Sequence, residues 1–179
     1  MTSLAPFPTL PDNAQLKDVI RTINVIARNR QQDIALFNQL QNQIIPYATG
    51  TWTPTITTSG TIGTPAYTTN VGSYTKVGRL IVAQFNIVLS GWTGSPTGNV
   101  TITGLPFASA NSANDDGNVF IGQYAVSGLA AGAVGLSGFI APNSSIISLQ
   151  QGENTASANL TAAQAGTTPT LIGSAAYHV

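Results

Sequence analysis

The sequence predicts a mainly β protein with an N-terminal α-helix: a trimeric coiled-coil-like stalk followed by an antiparallel jelly-roll or β-sandwich head. Three observations predict it. Apolar residues recur at helical spacing only before Pro46. From Gly50 onward the apolar period drops to two, in short β-branched runs separated by Gly, Asn, Asp and Pro. Charge also thins out after Pro46, where only Lys76, Arg79, Asp115, Asp116 and Glu153 remain. The expected layout is an extended anchoring arm at residues 1–11, a helical oligomerisation stalk at 12–46 and a β head at 47–179.

The arm reads Leu4-Ala-Pro-Phe-Pro-Thr-Leu-Pro11. Its prolines remove backbone donors and fix φ, so the segment is expected to be extended rather than helical. Phe7 and Leu10 would project from it as apolar knobs. Either they belong to a frayed terminus or they anchor the protein along a groove or sheet edge of a larger assembly. Met1 to Pro11 has no basic residue and no apolar run, so it is not expected to act as a secretory signal.

Asp12 or Asn13 suits an N-cap. Written as heptads, Leu16, Ile23, Arg30, Phe37 and Ile44 share one seam position, and Val19, Ile26, Asp33 and Leu40 share the other. Only Arg30 and Asp33 break the apolar seam, while Ile20, Ala27 and Ile34 widen it. Such a stripe must be covered, either by the β domain or by identical helices of neighbouring chains. The expected oligomerisation residues are Leu16, Val19, Ile23, Ile26, Phe37, Leu40 and Ile44. The polar interruption leaves two arrangements open: one straight helix over 12–45, or a helical hairpin of about 13–27 and 33–45.

In the head, Arg79–Ser90 is the strongest strand, with Ile81, Ala83, Phe85, Ile87 and Leu89 on one continuous apolar face. Trp52, Pro54 and Ile56 alternate with threonines. Further strands are expected at Tyr74–Val77, Val100–Thr103, Val119–Val126, Ala133–Ile140, Ser145–Gln151 and Thr170–Val179. Turn chemistry separates them at Thr58–Gly60, Thr93–Gly98, Asn114–Gly117 and Ala141–Asn143. Seven or eight short strands without helical interludes indicate a sandwich or jelly roll.

Composition narrows function. Charged residues make up 7% of the 179, against about 25% in an average soluble protein. The formal net charge is zero, so no electrostatic footprint for nucleic acid or an anionic membrane is visible. There is no cysteine, hence no disulfide. No stretch approaches the ~18 apolar residues of a membrane span.

Catalytic groups are scarce. His178 is the single histidine, and any Ser-His-Asp arrangement would have to use it. A glycosidase pair would have to come from Asp115, Asp116 and Glu153, of which the first two are sequence neighbours that diverge on a turn. Residues 111–118 are rich in side-chain oxygens but lack calcium-loop spacing, and read as an ordinary hairpin loop. The glycines of Gly128–Gly138 lack a following Lys-Ser/Thr helix and read as close packing rather than a phosphate cradle. No catalytic residue, metal ligand or cofactor is therefore expected, and the chain is not expected to be an enzyme. Recognition of a surface favours exposed aromatics and amides in loops. The receptor-contact candidates are accordingly Trp92, Asn114, Asp115 and Asp116, with a core or interface role as the alternative for Trp92. Tyr67, Tyr124 and Tyr177 read as core or interface residues.

Residues 50–179 resemble small trimeric appendage proteins of tailed bacteriophages, of the tail-fibre, head-fibre and capsid-decoration type. The resemblance rests on Gly50-Thr-Trp-Thr-Pro-Thr55, Gly72-Ser-Tyr-Thr-Lys-Val-Gly78, Gly104-Leu-Pro-Phe107 and Gly173-Ser-Ala-Ala-Tyr177. It transfers no catalytic residue. It implies a virion protein assembled in the host bacterial cytoplasm, attached through its N-terminal part and projecting a β head as a homotrimer. The implied partners are other virion proteins of the baseplate, tail or capsid, and a host surface glycan. The implied role is a short tail fibre for host-surface attachment, or alternatively a capsid decoration protein.

Overall fold

The computed structural model describes residues 13–43, 46–153 and 157–179. Phe7, Leu10 and Ile44 lie outside the described residues, as do the side chains of Leu40 and Glu153. The chain divides into two units, residues 1–45 and 46–179.

In the first unit, α1 (Asn13–Gln43) is one continuous helix of 31 residues, about 46 Å long at 1.5 Å per residue. The hairpin alternative is thereby overturned. Arg28, Arg30 and Asp33 are compatible with helix, and neither glycine nor proline interrupts the run. Local bonds support it weakly. Thr22 Oγ1 donates to Asp18 O at 2.9 Å, and Arg21 pairs with Asp18 at 3.8 Å in solvent.

The second unit begins with β1 (Tyr47–Trp52), β2 (Thr55–Thr58), β3 (Thr64–Val77), β4 (Leu80–Thr93) and β5 (Val100–Thr103). It continues with β6 (Gly117–Ala125), β7 (Ala133–Ile140), β8 (Ile147–Glu153), β9 (Ser157–Asn159), the short helix α2 (Ala162–Ala165) and β10 (Thr170–His178). Every pairing is antiparallel. The strands follow a single hydrogen-bonded path, β1-β3-β4-β10-β6-β7-β8-β5-β2, with β9 beside β8.

This single path bears out a mainly β, antiparallel head and does not show the expected jelly-roll division into two facing sheets. β10 inserts between β4 and β6 and joins what would otherwise be separate halves. Closure comes from chain connectivity. β1 and β2 lie at opposite ends of the path, yet only Thr53 and Pro54 separate them. Two residues span at most about 7–10 Å, so the sheet must curl until its two edges meet.

Inside the curl sits one apolar core. β4 contributes Ile81, Ala83, Phe85, Ile87 and Leu89, the face read from its alternation. Ile56, Val100, Ile102, Ile140, Ile147, Leu149, Leu160 and Leu171 are fully buried. α2 is an interlude that the strand pattern did not announce. Its capping box is complete: Thr161 Oγ1 accepts from Gln164 N, and Gln164 Oε1 accepts from Thr161 N.

A row of large and small residues crosses the core face of the sheet: Trp52 in β1, Gly72 in β3, Phe85 in β4 and Gly173 in β10 are successive register partners. The next row reverses the sizes, with Gly50 opposite Tyr74. A Cβ on Gly72 would stand 2.6 Å from Trp52 Cε2, and one on Gly50 would stand 2.7 Å from the Tyr74 ring. One on Gly173 would stand 2.8 Å from Phe85 Cζ. Each glycine therefore makes room for the aromatic ring of the neighbouring strand. Trp52 and Phe85 then meet edge-on, with ring centroids 6.4 Å apart.

Candidate functional site: an unpartnered helix and an uncharged sheet face

The expected oligomerisation residues form the first candidate surface. Leu16, Val19, Ile20, Ile23, Ile26, Ile34 and Phe37 are each between 49% and 60% exposed. Side chains on all sides of α1 are solvent-accessible. An apolar stripe of this length left in water is the condition under which helices associate.

The receptor-contact candidates fare unevenly. Trp92 is corrected: it is 3% exposed and belongs to the core. Its indole N–H donates to Ile62 O at 2.8 Å, which satisfies the ring's polar atom without solvent. Asn114 and Asp116 are exposed on the loop before β6, and Asp115 is half-buried. Asn114 has φ +67°, a left-handed conformation that asparagine tolerates well. Its residue type is explained by the turn.

The few charged side chains of the head act as ties. Asp115 Oδ1 lies 3.0 Å from His178 Nδ1, which joins the loop to the end of β10. Arg79 Nε donates to Val179 O at 2.8 Å. Lys76 Nζ sits 5.2 Å above the Phe107 ring. Phe107 also packs edge-on against Tyr74, and its carbonyl accepts the Tyr177 hydroxyl at 3.1 Å. Burial pushes the Tyr177 phenol up to about 12. Tyr67 is likewise raised by burial, partly offset by the Ile56 N–H that donates to its oxygen. Residues of three quoted motifs, Tyr74 and Lys76, Phe107, and Tyr177, thus meet around one ring. Among the described residues, no three His, Cys, Asp or Glu side chains gather as a metal site would require.

The second candidate surface, which sequence reasoning missed, is the outer face of β1, β3, β4, β10 and β6. A groove of about 690 Å³ crosses it. Thr51, Ser73, Gln84, Ser174 and Phe120 form one cross-strand row. Val71, Asn86 and Ile172 form the next. The floor is backbone of Gly72, Phe85 and Gly173. The signal in the sequence was faint, because outward-facing Ser, Gln and Asn on a strand look like ordinary solvated positions.

Comparison with known proteins adds a fold likeness. The chain shares a fold likeness with part of a tailspike. The crystal structure of the Dettilon tailspike protein superposes with a TM-score of 0.62 at 18% identity. The match covers 74% of this chain and 24% of the tailspike, so the chain corresponds to about a quarter of that protein's length. At this identity the likeness is one of fold. No protein-family model and no curated protein matches the chain. Among the described residues, no helix is long and apolar enough to cross a membrane.

Proposed function

We propose that the chain is a structural virion protein of a tailed phage: a short tail fibre that attaches through its N-terminal segment, trimerises through α1 and displays the β head toward the host surface. The observation that carries this reading is the fold likeness between about three quarters of the chain and part of a tailspike. The helix supports it independently. Its seven-residue apolar repeat runs from Leu16 to Phe37, and the described apolar side chains of that stretch are about half exposed. A stripe wider than two positions per heptad fits three strands better than two.

The head acts as a binding and spacing module without catalysis. Its ionisable side chains support this reading because Lys76, Arg79, Asp115 and His178 are each engaged in packing or tying contacts. An acid–base pair needs groups converging on a shared cleft.

Two measurements test the proposal. Light scattering on the purified chain is expected to give the mass of three copies; a monomer overturns the stalk assignment. Immunogold labelling of intact particles is expected to mark the tail. Label on the capsid shell instead would make the chain a decoration protein, the reading its proline-rich arm also suits.

A further inference from the structure

We propose that the outer groove over β1, β3, β4, β10 and β6 binds a neutral saccharide. The inference rests on the reading of the head as the displayed part of the chain. It begins with the ring of Phe120, which is 70% exposed on the middle of a strand. Just beyond it the β6–β10 register slips, with Ile172 opposite Gln123 and Gly173 opposite Ile121. Gly122 is therefore left unpaired as a bulge. Gly122 and the Phe120 ring both line the groove at this bulge. Bulges that re-aim a side chain are characteristic of binding sites.

The rest of the groove supplies the chemistry of sugar recognition. An aromatic face stacks on the apolar C–H face of a pyranose, while planar amides bind adjacent hydroxyls through a donor and an acceptor each. Gln84 and Asn86 are two such amides on one strand, with Ser73 and Ser174 beside Gln84. Asn86 Oδ1 is buried and has no hydrogen-bond partner. A buried amide oxygen without a donor is costly, so the Asn86 side chain gains by turning that oxygen toward a ligand hydroxyl in the groove.

Charge selects within the class. None of the lining residues is ionisable. An acidic sugar or a phosphate would meet no cation there and would lose its hydration without compensation. A neutral sugar loses nothing of that kind. The groove's volume lies within the ~300–1,000 Å³ usual for small-ligand sites.

The test uses the full chain carrying fluorinated phenylalanine. Fluorine NMR of the Phe120 signal, assigned through Phe120→Tyr, is followed during titration with short neutral oligosaccharides of glucose, galactose, mannose and N-acetylglucosamine. Sialyllactose and oligogalacturonate serve as acidic counterparts. At least one neutral oligosaccharide is expected to shift the signal, and the acidic ones are not. Phe120→Ala and Asn86→Ala are each expected to weaken calorimetric binding about tenfold or more. Val134→Ala, a substitution at an exposed residue of β7, is expected to leave it unchanged. Three results overturn the inference: no shift with any neutral sugar, equal binding of acidic sugars, or a change of oligomeric mass in Phe120→Asp, which would assign this face to a second copy. A trimer on the tail that binds no sugar overturns this inference alone. A sugar-binding monomer overturns the proposed assembly alone.

Discussion

The helix and the head solve the problem of apolar surface in opposite ways. The head encloses its apolar residues within its own curled sheet, so that Ile56, Ile81, Ile87 and Leu171 are fully buried. Among the described side chains of the helix, the isoleucines and leucines stand about half exposed. Most helical stability in proteins comes from packing an apolar face rather than from propensity. The head therefore carries its own folding free energy, and on the proposed assembly α1 draws its stability from neighbouring copies. The two units should respond differently to dilution, truncation and substitution.

The largest expected effect comes from separating them. A chain lacking residues 1–45 is expected to keep a cooperative thermal transition and β circular dichroism while losing self-association. A peptide of residues 13–43 is expected to be largely unfolded when dilute and to gain helicity with concentration. A truncated head that remains as tightly associated as the full chain would move the assembly determinant into the sheet.

Next in size is Gly72→Ala. The new methyl would meet the Trp52 ring, and overpacking a rigid aromatic pair should cost about 2–3 kcal/mol in denaturant unfolding of the head. A loss of under about 0.5 kcal/mol would show that Trp52 can shift and that the alternation of ring and glycine is not required.

A smaller effect is tied to pH. The folded-state pKa of Tyr177 is raised from 10.0 to about 12, so its contribution is fully present below pH 10 and is lost as pH rises through 12. The full shift would be worth about 2.7 kcal/mol; solvent screening reduces this to about 1–2 kcal/mol. Alkaline unfolding of the head compared with Tyr177→Phe checks it, since the variant should lack that part of the pH 10–12 decline.

The smallest expected effect is that of His178→Ala. The pair with Asp115 is only partly shielded from solvent, so its loss should cost under about 1 kcal/mol in urea unfolding. A larger loss would mark the C-terminal tie as a structural keystone.

Much of this architecture was legible in the sequence because it depends on local period. The helical seam from Leu16 to Phe37 and the alternation from Ile81 to Leu89 each declare one buried or buriable face. Val100–Thr103 and Ala133–Ile140 were bounded by their own turn residues. Features set by distant partners were not legible. The first half of β3, with Pro65, Thr68, Thr69 and Asn70, has little apolar alternation and is held by pairing with β4. Trp92, at a strand end beside Gly-Thr-Gly-Ser, could be read either as an exposed aromatic or as a core ring. Its burial depends on Ile62, which is 30 residues away and accepts its N–H. The outer groove needed five strands in register before its row of Ser, Gln and Phe existed at all.

The place of β10 has a consequence for how the protein is made. Nine strands precede it in the chain, yet it occupies the middle of the sheet. Until Thr170–His178 emerges from the ribosome, β4 and β6 present two long unpaired edges, with nothing between them. Nascent heads crowded on a polysome would find one another's edges as readily as their own last strand. A chain truncated before Thr170 would leave both of these edges unpaired and is expected to aggregate.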